Sequence, residues 1–263
     1  VNKVSLNVSK TKYMIFHFYQ RKLNLDTLSD LKMNNIPITR VRDFDFLGLM
    51  INETLKWNSH IAKVTSKILK ISGVMYRLKN TLASCNLKLI YNALILPHFN
   101  YCNLIWGNNF SKLFKIQKRV VRTISKSKYN AHTDPIFKKL NILKVADIHK
   151  STCLKFYYKF QNKLLPSPFL TFFSYNAMVH HHDTRQANFP HLQQCRTTTA
   201  INSPRHFIPN LIIECPAIIT DKISTHSYDG FSRYVKKHLI DIYKSECTIP
   251  NCYICVPRVT PHL

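Results

Sequence analysis

The end of the sequence carries cysteines at a spacing that metal sites use. Three cysteines in a C-x4-C-x2-C pattern and one later histidine could supply four ligands: Cys247, Cys252, Cys255 and His262. Three thiolates and one imidazole form a common tetrahedral set for zinc. The pattern predicts a zinc knuckle, with a tail of free thiols as the alternative. His180–His182 is a weaker candidate, because consecutive residues of a regular element do not converge on one ion.

Basic side chains form the second chemically informative pattern. The net charge is +25, and no acidic residue occurs between Glu53 and Asp134. That span contains 14 basic residues: Lys56, Lys63, Lys67, Lys70, Arg77, Lys79, Lys88, Lys112, Lys115, Lys118, Arg119, Arg122, Lys126 and Lys128. Such an excess points to a polyanionic partner, with nucleic acid favoured. An anionic membrane or protein, or a merely solvated basic surface, remains the alternative.

Two helices are expected to carry much of this charge. Apolar residues recur at steps of three and four in two segments: Ile61, Val64, Ile68, Ile71, Met75 and Leu78, then Leu113, Ile116, Val120 and Ile124. Basic residues repeat at similar steps on other faces: Lys63, Lys67, Lys70 and Arg77, then Lys115, Arg119, Arg122 and Lys126. Each helix is therefore predicted to combine a buried apolar stripe with a basic stripe, and the eight basic residues are candidates for nucleic-acid binding.

The remaining pattern predicts an α+β fold that is mainly α. Apolar or alternating runs predict strands over residues 13–18, 36–41 and 45–51, with a hairpin turning near Arg42–Asp43. Further helices are expected over residues 86–96, ended by Pro97, and over 145–163 and 228–243. The predicted divisions are N-terminal strands (1–56), a helical domain (57–165), an irregular region of loops and short strands (166–226), and a C-terminal helix with a Cys-rich tail (227–263).

Several protein classes do not match the composition. Only 4 residues are glycine, and neither a P-loop nor a dinucleotide-binding turn occurs. No apolar run is long enough to cross a bilayer. The scattered cysteines and the lack of a secretory signal predict an intracellular protein of the nucleus or cytoplasm, which is not secreted.

Several segments together resemble the reverse transcriptases of non-LTR (LINE-type) retrotransposons. Residues 6–16 read LNVSKTKYMIF, residues 46–61 read FLGLMINETLKWNSHI, and residues 91–107 read YNALILPHFNYCNLIWG. Residues 132–137, HTDPIF, and 182–186, HDTRQ, are similar to later segments of that family. The likeness covers residues 1–186. It departs over residues 203–222, where the family has Gly-Pro and then Trp-Asn.

The resemblance implies roles for particular residues. Phe46, Leu47 and Gly48 are similar to the primer grip, and Lys10 matches a lysine near the nucleotide site of the intact enzyme. The two basic helices would belong to the thumb, which holds the template–primer duplex. The implied function is therefore template–primer (RNA/DNA) binding within an RNA-directed DNA polymerase.

The resemblance also implies that this chain alone does not polymerise. In the family, two metal ions are held by palm aspartates that precede the segment matched by residues 6–16. Asp43 and Asp45 are interpreted as hairpin-turn residues instead of metal ligands. We therefore expect no cofactor for this chain apart from the tail zinc, with Mg²⁺ only in the intact polymerase. A freestanding nucleic-acid-binding protein derived from such an element, or a non-functional remnant, is the alternative, and an upstream palm in the same reading frame would distinguish them.

Overall fold

The computed structural model describes residues 7–18, 31–108, 110–179 and 187–246. Helices dominate these residues and the strands are short, which confirms the predicted α+β, mainly α class. The chain divides into two compact units, residues 1–64 and 65–263.

The first unit contains three two-stranded pairings. Strands β1 (Lys12–Tyr13) and β4 (Thr39–Arg40) are parallel. The antiparallel pairs are β2 (Lys32–Met33) with β3 (Ile36–Pro37), and β5 (Asp43–Phe46) with β6 (Leu49–Asn52). The predicted strands over 13–18 and 36–41 are thus largely replaced by irregular chain and short pairings.

The hairpin of β5 and β6 turns at Leu47–Gly48, so the predicted turn near Arg42–Asp43 is wrong. Leu47 has φ 49° and Gly48 has φ 84°. A two-residue turn that matches strand twist needs two positive φ values, which glycine adopts without strain. Asp43 and Asp45 consequently lie within β5 and are not turn residues.

The helices of the main body follow from the chain's apolar periodicity. Helix α1 (Asn58–Leu78) begins in the first unit and continues in the second. The other longer helices are α5 (Ser111–Ser125), α7 (Val145–Gln161), α10 (Pro204–Glu214) and α13 (Tyr228–Asp241). Shorter helices are α2 (Ser84–Ile90), α3 (Leu96–Asn100), α4 (Asn103–Trp106), α6 (Asp134–Leu140), α8 (Asn176–Val179), α9 (Thr198–Ile201), α11 (Ala217–Thr220) and α12 (Lys222–Thr225).

The predicted apolar stripes are confirmed. In α1 the side chains of Ile61, Val64, Ile68 and Met75 are buried, whereas Ile71 and Leu78 are half-buried. In α5 all four predicted positions are buried: Leu113, Ile116, Val120 and Ile124. These stripes are the main reason that both segments are helices, because packing of an apolar face stabilises a helix more than intrinsic propensity does.

The helix predicted to end at Pro97 instead continues to Asn100. A π-helical turn over Tyr91–Ile95 links α2 to α3, and Pro97 lies in the first turn of α3. Proline removes one backbone donor and clashes with the carbonyl four residues earlier. The wider π turn and the position of Pro97 near the start of α3 accommodate both effects.

Helices α7 and α13 are antiparallel and carry an aromatic core. The Tyr158 ring stacks on Phe231 at a centroid distance of 4.9 Å, and its hydroxyl donates to the backbone carbonyl of His226 at 2.7 Å. At the other end, the Tyr243 hydroxyl donates to Asp147 at 2.5 Å. The pKa of Tyr243 is raised, mainly because its hydroxyl is buried.

Residues 198–225 differ from the expected loops with short strands, because they contain α9 to α12. Pro204 stands in the first turn of α10, where proline is tolerated, and Ile208 and Ile212 are buried one turn apart. They belong to the same core as Leu154 and Tyr158 of α7. Packing against α7 therefore outweighs the Pro- and Thr-rich composition, whereas residues 187–197 contain neither helix nor strand.

Candidate nucleic-acid interface

A buried polar network fixes the position of α5. The Gln117 amide donates to the Tyr91 hydroxyl at 3.0 Å and to the Leu143 carbonyl at 2.8 Å, while its oxygen accepts from the Val145 N–H at 2.8 Å. Each polar atom of the Gln117 side chain therefore has a partner, as a buried amide requires. The network ties α5 to the π turn and to the start of α7, which holds the basic face of α5 in one orientation.

Six of the eight basic candidates are exposed: Lys67, Lys70 and Arg77 on α1, and Lys115, Arg119 and Lys126 on or directly after α5. None of them forms an ion pair with any residue that the structure describes. Lys126 ends α5 with φ 55°. The charge of these six side chains is thus available to an external anion.

Lys63 has a different environment from the other members of its stripe. Its ammonium group pairs with Asp45 of β5 and lies 3.5 Å from the Gly48 carbonyl oxygen. The ion pair offsets the charge and joins the start of α1 to the hairpin tip. Lys63 is therefore better suited to positioning the hairpin than to holding a phosphate.

Arg122 is also engaged within the protein. Its Nε donates to the backbone carbonyl of Ala131 at 2.8 Å, and partial burial lowers its pKa. The side chain bridges the last turn of α5 to the loop that follows. Arg122 keeps a positive charge but has one donor already committed to that loop.

The predicted primer-grip residues form the tip of the β5–β6 hairpin. Phe46 is 55% exposed and Leu47 is 76% exposed, while Gly48 closes the turn. Lys10 is exposed at the end of a short 3-10 helix, Val8–Lys10. An exposed apolar tip on a hairpin is suited to contact with the sugar and base edges of a strand, and the primer-grip role remains a prediction.

A second group of lysines comes from distant parts of the sequence. Lys236 of α13 is close enough to Lys155 of α7 and to Lys88 of α2 for their charges to interact. The pKa values of Lys155 and Lys236 are lowered, first by burial and then by the nearby like charge. Sequence reasoning missed this cluster because its members come together only when α7 packs on α13.

A buried Cys–His–Asn arrangement resembles a nucleophilic site in geometry alone. His149 lies 3.7 Å from the Cys153 sulfur and 3.1 Å from the Asn103 side-chain oxygen. Burial raises the pKa of Cys153 to about 12 and lowers that of His149 to about 4. Thiol and imidazole are consequently both neutral near pH 7, and a neutral buried thiol is a poor nucleophile. This group is part of the core.

The proposed zinc ligands Cys247, Cys252, Cys255 and His262 lie outside the described residues, as does His180–His182. Within residues 7–18, 31–108, 110–179 and 187–246, no three His, Cys, Asp or Glu side chains cluster as metal ligands would. The zinc knuckle remains a prediction from the sequence.

No helix among the described residues has both the length and the apolar character needed to span a bilayer. No protein-family model, curated protein or solved structure matches this chain.

Proposed function

We propose that this chain binds nucleic-acid duplexes through their phosphates, as the template–primer-binding part of a reverse transcriptase like those of non-LTR retrotransposons. The observation that carries the proposal is a set of six exposed cations on or directly after two helices of a span without acidic residues. None of the six has an ion-pair partner among the residues that the structure describes.

The spacing of these cations suits a nucleic-acid backbone. Lys67 and Arg77 are ten positions apart, which corresponds to about 15 Å along a helix, and Lys115 and Lys126 are separated by about 16 Å. Phosphates of one strand follow each other at about 3.4 Å along a duplex axis, so each stripe can meet several of them. Contacts of this kind position a duplex and carry little sequence information.

The resemblance supplies the second support. The hairpin tip of Phe46, Leu47 and Gly48 falls on the segment similar to the primer grip, and the Phe46 and Leu47 side chains are exposed. Both basic helices follow this segment in the chain, in the order that the family's thumb would have.

The proposal predicts tight, sequence-independent binding to an RNA–DNA hybrid duplex. We expect two 20-base-pair hybrids of scrambled sequence to bind with the same affinity within about threefold in fluorescence anisotropy at 0.1 M salt, because phosphate contacts do not read bases. Vesicles containing anionic lipid serve as the competing polyanion. Preferential binding to these vesicles, or no measurable binding to either duplex, would reject the proposal.

A further inference from the structure

Tyr129 is the most exposed of the large apolar side chains that the structure describes, at 90%. It lies in the turn after α5, three residues after the basic stripe's last member, Lys126. No aromatic ring or cation among the described residues covers either face of its ring. An aromatic ring with both faces open can stack on another planar group.

The turn that carries Tyr129 is held in place by hydrogen bonds. The Ala131 N–H donates to the Lys128 carbonyl at 3.1 Å, so the backbone closes around Tyr129. Arg122 then fixes this turn to α5 through its 2.8 Å bond to the Ala131 carbonyl, and the Ser127 N–H donates to the Arg122 carbonyl at 3.0 Å. Tyr129 is therefore exposed on a turn that hydrogen bonds hold against the end of α5.

The charges beside the ring indicate which planar group would stack there. Lys126 and Lys128 closely precede Tyr129 in the chain and are exposed, and neither has an acidic partner among the described residues. Tyr76 gives a contrast, because it is 60% exposed but the Lys79 ammonium lies 4.2 Å from its ring centroid. An open ring in the same turn as two exposed lysines suits a nucleobase, because the lysines can contact the phosphates of the same strand.

We propose that Tyr129 stacks on an unpaired nucleobase of a single strand that extends from the duplex bound along α5. This inference rests on the proposed function and adds a single-strand contact to it. Stacking uses the face of a base, which only an unpaired or terminal base exposes, and it tolerates any sequence. The bond from Arg122 to Ala131 would hold the ring in position for this contact.

The test compares a blunt 20-base-pair hybrid with the same hybrid bearing a five-nucleotide single-stranded extension. The variants are Tyr129→Ala, Tyr129→Trp and, as the matched control, Tyr76→Ala. We expect the wild-type protein to bind the extended duplex more tightly. Tyr129→Ala should weaken binding to the extended duplex about tenfold and leave the blunt duplex unchanged, as expected for the loss of one stacked base. Tyr129→Trp should retain the tighter binding, and Tyr76→Ala should behave as wild type.

Equal affinity of wild type and Tyr129→Ala for the extended duplex would overturn the stacking role while leaving duplex binding intact. Equal weakening on both duplexes would also overturn it, because the side chain would then contact the duplex itself. Failure of the wild-type protein to bind either nucleic acid would remove the proposed function and this inference together.

Discussion

Replacing Lys67, Lys70 and Arg77 together by glutamine is expected to weaken duplex binding about a hundredfold at 0.15 M salt. The three side chains are exposed and have no partner among the described residues, so each can neutralise one phosphate. Loss of three contacts should make the slope of log affinity against log salt less negative by about 2.7. If the variant and the wild-type protein bind equally near 1 M salt, this change in slope corresponds to about a hundredfold difference in affinity at 0.15 M salt. Salt titrations of anisotropy measure both quantities.

The corresponding triple replacement on and after α5 is expected to have a similar effect. Its members have the same composition, two lysines and one arginine: Lys115, Arg119 and Lys126. A control with the same loss of charge uses exposed residues outside the acid-free span: Lys139, Arg196 and Lys237. The control should lower affinity only slightly, because non-contacting charges act through the screened field of the whole protein.

These variants should remain folded, since surface substitutions usually change the free energy of unfolding by less than about 0.5 kcal/mol each. Lys63→Gln alone should hardly change the salt dependence, because Asp45 already neutralises the ammonium group. If both triple variants kept the wild-type affinity and slope, or if the control lost as much, the two stripes would be solvated surfaces and not a duplex interface.

Gly107→Ala is expected to destabilise the second unit by about 3 kcal/mol, the upper part of the range for overpacking in a well-packed core. A methyl group at Gly107 would lie 2.5 Å from the Asn103 carbonyl oxygen and 2.7 Å from His149 Cγ, and would also meet His149 Nδ1. Asn103 and His149 are both buried and hydrogen-bonded to each other, so neither can move aside without losing that bond. Thermal and urea unfolding followed by circular dichroism measure the loss.

Gly73→Ala is the matched control for this substitution. Gly73 lies within α1 and nothing lies within 4 Å of the site of a Cβ atom. Alanine is favoured over glycine in helices, so this variant should be more stable by about 0.5–1 kcal/mol. A Gly107→Ala protein with wild-type stability would mean that α4 packs against α7 less tightly than the short distances at Gly107 indicate.

The helices that carry the proposed interface could be predicted from the sequence because their apolar periodicity is strong. Ile61 to Met75 and Leu113 to Ile124 repeat at helical steps, and those positions are buried. The placement of the exposed basic faces follows from the same geometry. Periodicity is local information, which explains why the buried stripes of α1 and α5 could be predicted from the sequence.

Features that depend on partners distant in the chain were missed. The π turn that accommodates Pro97 has no residue signature, and α10 is helical because Ile208 and Ile212 pack on α7. The hairpin turn lies at Leu47–Gly48 and not at the predicted Arg42–Asp43, and only Leu47–Gly48 contains a glycine, which adopts a positive φ without strain.

The roles of two basic residues also required the structure. Lys63 and Arg122 share a sequence pattern with their exposed neighbours, but Asp45 and the Ala131 carbonyl engage them within the protein. Their spacing identifies the face on which they lie and not the groups they meet. The same limit applies to the lysine cluster, whose members come from three helices.

The salt dependence of duplex binding by the wild-type protein tests the central claim most directly. If each of the six exposed cations of the two stripes neutralises one phosphate, the slope of log affinity against log salt should be near −5 on duplex DNA. Between 50 and 200 mM salt, the affinity should therefore fall about a thousandfold. A slope shallower than about −1, or binding that salt does not weaken, would contradict the account, because phosphate contacts by these six side chains cannot form without release of counterions.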